Sequence, residues 1–323
     1  MAKKKTSAFI LLEILKDETD ENHILTRREL METAKKKYGI EMNRRTFYSN
    51  IAILEDFDYD ISKPAQNGKG YYLLGRSLEK SEVLLLCNAI HASHFISSRT
   101  SSELIRKLLK TQSRYERDAF YDGVYLPNRQ KTSNQQLLLN IEVLSEAISE
   151  KKAVSFTYLT YDYTGTLKAR RSEPYTLEPR YIVYHDGRGY MISTSPKYSG
   201  FSHYRLDRMK NVTILDQTVP ELADSMDPYA YTRSKLFMFA GENIDAVLQC
   251  SGKILTQMMD VFGPETSVEK KEDDTFLISV SAPKQGILWL VQEYLDSVTI
   301  CSPKTLIDEH TAILKAALER YQE

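Results

Sequence analysis

Two arginines and a histidine lie close together in the stretch HYRLDRM, residues 203–209. Charged and apolar positions nearly alternate there, which is the period of a β-strand rather than of a helix. As a strand, the stretch would point most of its charged side chains to one face and Tyr204 and Leu206 to the other. Two chemistries fit this pattern: an ion pair between an arginine and Asp207, or a cationic face that binds an anion.

The charge of the chain is unevenly distributed, and this stretch lies in its most basic part. The full sequence has 323 residues and a formal net charge of -1. Residues 151–210 contain eleven basic and five acidic side chains, whereas residues 211–323 contain nine basic and eighteen acidic ones. We therefore expect an anionic partner at the middle segment and not at the acidic C-terminal part.

Length and composition exclude several classes of protein. A chain of 323 residues is longer than one hydrophobic core usually organises, which predicts two or three domains. No apolar run approaches the roughly 18 residues of a membrane-spanning helix. The basic start imitates a signal peptide, but Glu13 interrupts the apolar stretch and no small-residue cleavage site follows. We expect a cytoplasmic protein with no membrane partner.

The spacing of one cysteine and two histidines is compatible with a metal site. Cys87, His91 and His94 fall at i, i+4 and i+7 of a predicted helix, which places them on one face. No fourth ligand is evident, and Cys and His next to Leu84 and Ile90 are typical of a packed core. The three cysteines of the chain are far apart, which argues against disulfides and a Cys-rich zinc site. We predict no metal and no other cofactor.

The first 76 residues predict three helices followed by a β-hairpin. Helical apolar spacing covers residues 6–16, a capping box at Thr26 starts a second helix, and Asn43 caps a third. A short strand, a turn around Asn67 and a return strand follow. This order predicts a winged helix-turn-helix DNA-binding domain over residues 1–76.

The third predicted helix carries the residues that would contact DNA. Phe47, Ile51 and Leu54 form its inward stripe. Side chains near the start of a recognition helix reach base edges, while nearby cations hold phosphates. The candidates, including a lysine beside the hairpin turn, are Arg44, Arg45, Tyr48, Ser49 and Lys69. The alternative is a solvated basic helix that packs on another element.

The middle of the chain predicts a helical part and then a β-rich part. Two helices within residues 78–117 belong to a helical connector over residues 77–135. A helix from residue 136 to 150 leads into about five strands with alternating apolar and polar residues. Short twisted strands of this kind fit a small barrel within residues 136–219.

The C-terminal part predicts a small α+β sandwich over residues 233–323, after a linker at residues 220–232. We expect a strand at LFMFAG, residues 236–241, and a helix over Ile244–Phe262. Trp289 is expected in the core.

The order of these parts and the opening stretch resemble the WYL-domain transcriptional regulators, which are bacterial and phage-associated proteins. Members combine a winged helix-turn-helix, a WYL domain and a C-terminal extension called WCX. The family typically has an H-(F/Y)-R-(L/V)-D-R-(I/M) strand, which residues 203–209 match. The Trp-Tyr-Leu motif that names the family appears here as Gly189-Tyr190-Met191, without the tryptophan. The resemblance covers nearly the whole chain and implies a multidomain α+β fold with an SH3-like β-barrel.

The resemblance also implies a basic groove in the WYL domain that takes nucleic-acid fragments or nucleotides. Carried over residue by residue, its candidates are Tyr158, Tyr190, His203, Tyr204, Arg205 and Arg208. The charge argument alone adds Arg170, Arg171 and Arg180. Arginines fork onto phosphates, and aromatic rings stack on bases. Asp207 can neutralise Arg205 or Arg208. Because Arg208 follows the apolar side of the strand, we expect it to be the structural partner and Arg205 to contact the ligand.

These expectations combine into a ligand-responsive, sequence-specific transcriptional regulator. We expect a homodimer that binds a double-stranded DNA operator and responds to a single-stranded nucleic-acid or nucleotide effector. The alternative is an accessory nucleic-acid-binding protein that modulates an RNA-guided or phage-defence system. No phosphate-binding glycine loop, metal-ligand pair or nucleophile-base spacing in the sequence indicates an enzyme.

Overall fold

A computed structural model of the chain describes residues 2–123, 131–222 and 226–322. Parts of the predicted connector and linker, residues 124–130 and 223–225, lie outside the described residues. The chain forms two compact units, Met1–Thr132 and Ser133–Glu323. The four domains expected from the sequence are a finer division, which stays a prediction.

The first unit is helical apart from one small hairpin. Its elements are α1 (Ala2–Glu18), α2 (Arg27–Tyr38), α3 (Arg44–Asp56), β1 (Ile61–Ser62), α4 (Pro64–Asn67), β2 (Tyr72–Leu73), α5 (Lys80–Ala92), α6 (Ser98–Leu109) and α7 (Arg114–Gly123). Thr26 and Glu29 form the expected capping box at α2. The Asn43 side chain accepts a hydrogen bond from the Thr46 N–H at 2.8 Å. Both predicted helix starts are therefore confirmed.

Among the described residues, two separate hydrophobic cores stabilise this unit. One joins α1, α2, α3 and the hairpin through side chains such as Leu15, Leu30 and Phe47. The other joins α5, α6 and α7, and Cys87 is fully buried in it. Apolar packing therefore accounts for the position of Cys87 on its helix.

The second unit begins with a helix packed on a curled antiparallel sheet. Its elements are α8 (Leu137–Ser149), β3 (Lys152–Tyr161), β4 (Leu167–Ala169), β5 (Tyr175–His185), β6 (Arg188–Ser195), β7 (Tyr198–Arg205) and β8 (Met209–Thr218). The strand order is β4-β3-β5-β6-β7, and β8 returns to pair with β3. Asp186 and Gly187 have φ values of 46° and 65°, so the turn between β5 and β6 is of the left-handed type that an Asp-Gly pair favours.

The stretch HYRLDRM is not one continuous strand. β7 ends at Arg205, a 3-10 turn covers Leu206–Arg208, and β8 starts at Met209. A side chain just before α8 donates hydrogen bonds to backbone carbonyls at this turn. The Asn134 side-chain amide donates to Asp207 O at 3.0 Å and to Met209 O at 2.7 Å. These bonds replace the inter-strand hydrogen bonds that the carbonyls would have made in a strand. The turn itself connects β7 to β8, two strands of the same sheet.

The rest of the second unit is a four-stranded antiparallel sheet with helices. Its elements are α9 (Pro228–Arg233), a 3-10 turn (Leu236–Met238), β9 (Asn243–Ser251), a 3-10 turn (Gly252–Ile254), α10 (Leu255–Phe262), β10 (Ser267–Lys270), β11 (Thr275–Pro283), α11 (Lys284–Glu293), β12 (Val298–Ser302) and α12 (Lys304–Arg320). The strand order is β10-β11-β9-β12.

Three expectations for this region are wrong. Residues 236–241 form no strand. In the predicted helix Ile244–Phe262, only the second half is helical, because the first half is β9, which buries Ala246, Leu248 and Cys250 at a period of two. Trp289 is 53% exposed. The inward face of α11 is already filled by Ile287 and Leu290, so Trp289 lies on the outer side of the helix.

No helix in the described ranges has the length and apolar character needed to cross a bilayer.

Candidate nucleic-acid interface and ligand site

The residues predicted to contact DNA are exposed in the first unit. The start of α3 presents Arg44, Arg45, Tyr48 and Ser49 to solvent, and the turn after α4 presents Lys69. The opposite face of α3 is held in the core by Phe47. Among the described residues, no ion pair involves Arg44, Arg45 or Lys69. Their charges are therefore available to an anion at this surface.

Tyr48 lies between two guanidinium groups. Arg27 Nη1 donates a hydrogen bond to Tyr48 Oη at 3.2 Å. The guanidinium carbons of Arg27 and Arg44 each lie 5.8 Å from the Tyr48 ring centroid. The hydrogen bond from Arg27 lowers the pKa of Tyr48. Sequence reasoning missed Arg27, although its place directly after the N-cap of α2 was visible in the sequence.

A cluster of aromatic rings lies where β3, β5 and β7 meet. The Tyr204 ring centroid is 5.1 Å from that of Tyr158, 5.5 Å from that of Tyr175 and 5.4 Å from that of Phe156. Tyr158 Oη accepts a hydrogen bond from the Arg205 N–H at 3.2 Å. Burial raises the pKa values of Tyr158 and Tyr204, so both hydroxyl groups stay neutral at ordinary pH. We call Tyr158, Tyr175 and Tyr204 the tyrosine cluster.

Two of the predicted arginines border the tyrosine cluster. The Arg171 guanidinium lies 3.6 Å from the Tyr175 ring centroid, and its Nε and Nη2 donate to the carbonyls of Glu173 and Pro174, both at 3.0 Å. Arg170 is exposed, and its backbone N–H bonds Tyr158 O at 2.8 Å. Sequence reasoning missed Tyr175, because only the folded sheet brings it between β3 and β7.

The roles of the two motif arginines are the reverse of those expected. Arg205 Nε and Nη2 bind the two carboxylate oxygens of Asp207 at 3.0 and 2.7 Å, and the two side chains are only 17% and 5% exposed. Arg205 is therefore the structural partner. The Arg208 guanidinium lies 5.6 Å from the Tyr161 ring, and its buried Nε has no hydrogen-bond partner in the described part of the chain. Arg208 is thus the arginine with unused bonding capacity.

Three other candidates are engaged inside the unit. Arg180 donates to Thr194 Oγ1 at 2.9 Å, to Glu178 Oε2 at 3.2 Å and to Pro220 O at 2.5 Å. Tyr190 on β6 is 9% exposed and pairs in register with Arg205. Both ring nitrogens of His203 contact other residues of the unit. We therefore leave these three side chains out of the proposed ligand contacts.

No group of three or more metal-ligating side chains occurs among residues 2–123, 131–222 and 226–322 to the extent that their side chains are described. The chemistry that the tyrosine cluster offers is the stacking of planar rings beside arginines, which suits a nucleobase with an attached phosphate.

Comparison with known proteins gave a family match, a curated relative and similar solved structures. Residues 140–214 match the WYL domain family. A curated relative, "Uncharacterized HTH-type transcriptional regulator YobV" of Bacillus subtilis (strain 168), is 24% identical over 225 residues, which are 65% of this chain and 68% of that protein.

Two solved structures are also similar. "Proteasome accessory factor B/C (PafBC) of Arthrobacter aurescens" is 16% identical with a TM-score of 0.30, over 99% of this chain and 49% of that one. "Crystal structure of a CRISPR Cas-related protein" is 14% identical with a TM-score of 0.39, over 99% of this chain and 85% of that one. This chain spans about half the length of the PafBC chain.

The WYL match covers β3 to β7, the whole tyrosine cluster and the HYRLDRM stretch, and the curated relative is a transcriptional regulator. Residues 140–214 therefore contain a WYL domain, and the chain is similar to a curated HTH-type transcriptional regulator.

Proposed function

We propose that this chain is a sequence-specific transcriptional regulator that binds a double-stranded DNA operator and responds to a single-stranded nucleic-acid or nucleotide-like effector. The observation that carries the proposal is the exposed, cationic start of α3 together with an arginine-bordered tyrosine cluster in the same chain.

The DNA-binding half of the proposal rests on α3 and its surroundings. Three helices followed by a two-stranded hairpin have the order of a winged helix-turn-helix, in which the last helix enters the major groove. Residues 27–50 contain seven basic and three acidic side chains. Arg44, Arg45, Tyr48 and Ser49 would face base edges, while Arg27 and Lys69 would hold phosphates on either side.

The effector half rests on the tyrosine cluster. Base stacking on an aromatic side chain contributes about 1–3 kcal/mol per base, and it tolerates any sequence. Arg170, Arg171 and Arg208 supply positive charge around the rings. Because Nε and Nη2 of Arg171 already bond carbonyl oxygens, paired binding of phosphate oxygens rests on Arg170 and Arg208. A short single-stranded oligonucleotide has both the bases that stack on aromatic rings and the phosphates that arginines bind.

We place the regulatory response in a homodimer. Operators of helix-turn-helix proteins contain two half-sites at a fixed spacing, so a change in the placement of two DNA-binding heads changes affinity. An effector that binds one arrangement more tightly shifts the population toward it.

The test is fluorescence anisotropy with the duplex from upstream of the protein's own gene and with a scrambled duplex, over a salt series. We expect the upstream duplex to bind at least about 1000-fold more tightly, as specific complexes do. The Arg44→Ala/Arg45→Ala variant should lose about 100-fold or more, because each base or phosphate contact contributes on the order of 1–3 kcal/mol.

The matched control is Arg99→Ala/Arg106→Ala, which removes the same charge from exposed positions of α6 in the same unit. This control should bind the upstream duplex nearly as the unmodified protein does. Equal, salt-sensitive binding to both duplexes would contradict the proposal and favour an accessory nucleic-acid-binding protein.

A further inference from the structure

His203 and Tyr204 are neighbours in β7 but face opposite sides of the sheet. Tyr204 pairs in register with Met191 of β6, and His203 pairs with Ile192. Cross-strand partners share a face and consecutive residues alternate. Tyr204 therefore belongs to the tyrosine cluster, while the His203 ring faces α9 and the turn at Leu236–Met238.

The His203 ring bridges α9 and this turn. Its Nδ1 lies 2.9 Å from Met238 O, and its Nε2 lies 2.9 Å from Tyr231 Oη. Because a carbonyl oxygen can only accept, Nδ1 carries the proton and donates to Met238, and Nε2 accepts from the Tyr231 hydroxyl. Burial lowers the pKa of His203, which favours this neutral form.

The turn that His203 holds has a strained backbone. Phe237 and Met238 have φ values of 54° and 55°, in the left-handed region that side chains other than glycine disfavour. Leu236 of the same turn packs against Gly286 of α11, where a Cβ atom would come within 2.6 Å of Leu236 Cβ. The turn is therefore held between β7 on one side and α11 on the other.

Trp289 lies next to the turn, three residues after Gly286 on α11. Its ring centroid is 5.0 Å from that of Phe239 and 6.4 Å from that of Phe237. Trp289 is the only tryptophan of the chain. Its fluorescence thus reports on the packing of this one turn.

We propose that His203 is a positioning residue that couples the tyrosine cluster to the C-terminal part of the chain. A ligand that moves β7 through Tyr204 also moves the His203 ring, which changes the hydrogen bond to Met238 and the packing of Phe237 and Phe239 on Trp289. Backbone strain of this kind is energetically unfavourable, so the turn is expected to rearrange when that bond is lost. The ligand in this inference is the effector of the proposed function.

The first test uses the ligand-free, full-length protein. His203→Phe fills the ring volume but removes both hydrogen bonds. The N–H groups of Met238 and Phe239 bond to Lys235 O and Leu236 O. Their exchange with deuterium should become about tenfold faster or more as the turn opens, and acrylamide should quench Trp289 more strongly.

Two further variants make this test decisive. Tyr231→Phe removes one hydroxyl and should shift both readings in the same direction by a smaller amount. His185→Phe is the matched control, because His185 lies on β5 of the same sheet. In the described part of the chain, its one ion-pair partner is Asp186 at 3.2 Å. This variant should leave both readings unchanged. If neither His203→Phe nor Tyr231→Phe changes exchange or quenching in folded protein, the coupling is overturned.

In the second test, a ten-nucleotide oligothymidine is added to the full-length protein. The Trp289 emission of the unmodified protein should change when the oligonucleotide binds. His203→Phe should bind the labelled oligonucleotide with an affinity within about threefold of that of the unmodified protein, but its Trp289 emission should not change. Binding without any emission change in the unmodified protein overturns the coupling and leaves the proposed effector intact.

Two other outcomes are equally distinct. A loss of affinity of about tenfold or more in His203→Phe would make His203 a ligand contact and overturn its role as a positioning residue. Absence of oligonucleotide binding to the unmodified protein would contradict the proposed effector, and the ligand-free measurements would still decide whether His203 controls the turn.

Discussion

At the scale of single residues, two arginines three positions apart have different roles. Arg205 binds both oxygens of the buried Asp207 carboxylate. Arg208 has a buried Nε without a hydrogen-bond partner in the described part of the chain and lies near the tyrosine cluster. The difference comes from the 3-10 turn, which brings Asp207 back toward Arg205.

Replacing these two arginines should therefore affect different properties, namely stability for Arg205 and ligand binding for Arg208. Arg205→Ala leaves the buried Asp207 without its cation and should lower the free energy of unfolding by about 3 kcal/mol, measured by urea denaturation. Arg208→Ala should leave unfolding nearly unchanged and weaken binding of a labelled oligonucleotide about tenfold, as the loss of one charge-assisted contact does. The reverse pattern would contradict the roles assigned here.

At the scale of elements, the hairpin is attached to the start of α2 by one close backbone contact. Leu25 and Tyr71 exchange two hydrogen bonds, at 3.1 and 2.7 Å. Gly70 makes this approach feasible, because a Cβ atom there would lie 2.3 Å from Leu25 O. The position of the proposed DNA-contacting hairpin thus depends on a residue with no side chain.

Gly70→Ala should break this contact, lower the free energy of unfolding by about 2 kcal/mol and weaken operator binding as the hairpin moves. Gly68→Asn is the control, because Gly68 has a φ of 72° and no atom within 4 Å of its added Cβ. Asparagine tolerates that backbone conformation, so the control should change stability by less than about 0.5 kcal/mol. Equal urea midpoints for Gly70→Ala and Gly68→Asn would refute this account of the hairpin.

At the scale of the whole molecule, stability should depend on pH through two histidines of the second unit. Burial lowers the pKa values of His203 and His310 from the ordinary 6.5. Below about pH 6.5 the unfolded chain binds protons that the folded chain does not, so the free energy of unfolding falls as the pH falls. The carboxyl groups with lowered pKa values, such as Asp162 at about 2, act in a separate window below about pH 4.

Urea unfolding followed from pH 7.5 to 5.5 should therefore show a loss of stability of at most about 1.4 kcal/mol for each of the two histidines. His203→Gln and His310→Gln should each flatten this dependence, and the double variant should nearly abolish it. A slope that is the same in the double variant would show that other groups cause it.

Much of the fold could be predicted from the sequence, because the signals are local. The caps at Thr26 and Asn43 and the Asp186-Gly187 turn act within a few residues, so each was visible in the one-dimensional pattern. The helical interpretation of residues 244–251 failed because a short apolar pattern fits either period until neighbouring strands pair with it.

The candidate site was only partly predictable. The sequence by itself determined that arginines and tyrosines concentrate in one basic segment and that basic residues start α3, since composition and helical spacing need no knowledge of distant contacts. Only the tertiary structure decided that Arg205 binds Asp207, that Tyr175 joins Tyr204, and that His203 faces the turn at Met238. Those choices depend on a 3-10 turn and on the pairing of strands far apart in the chain, and neither is specified by the residues immediately around them.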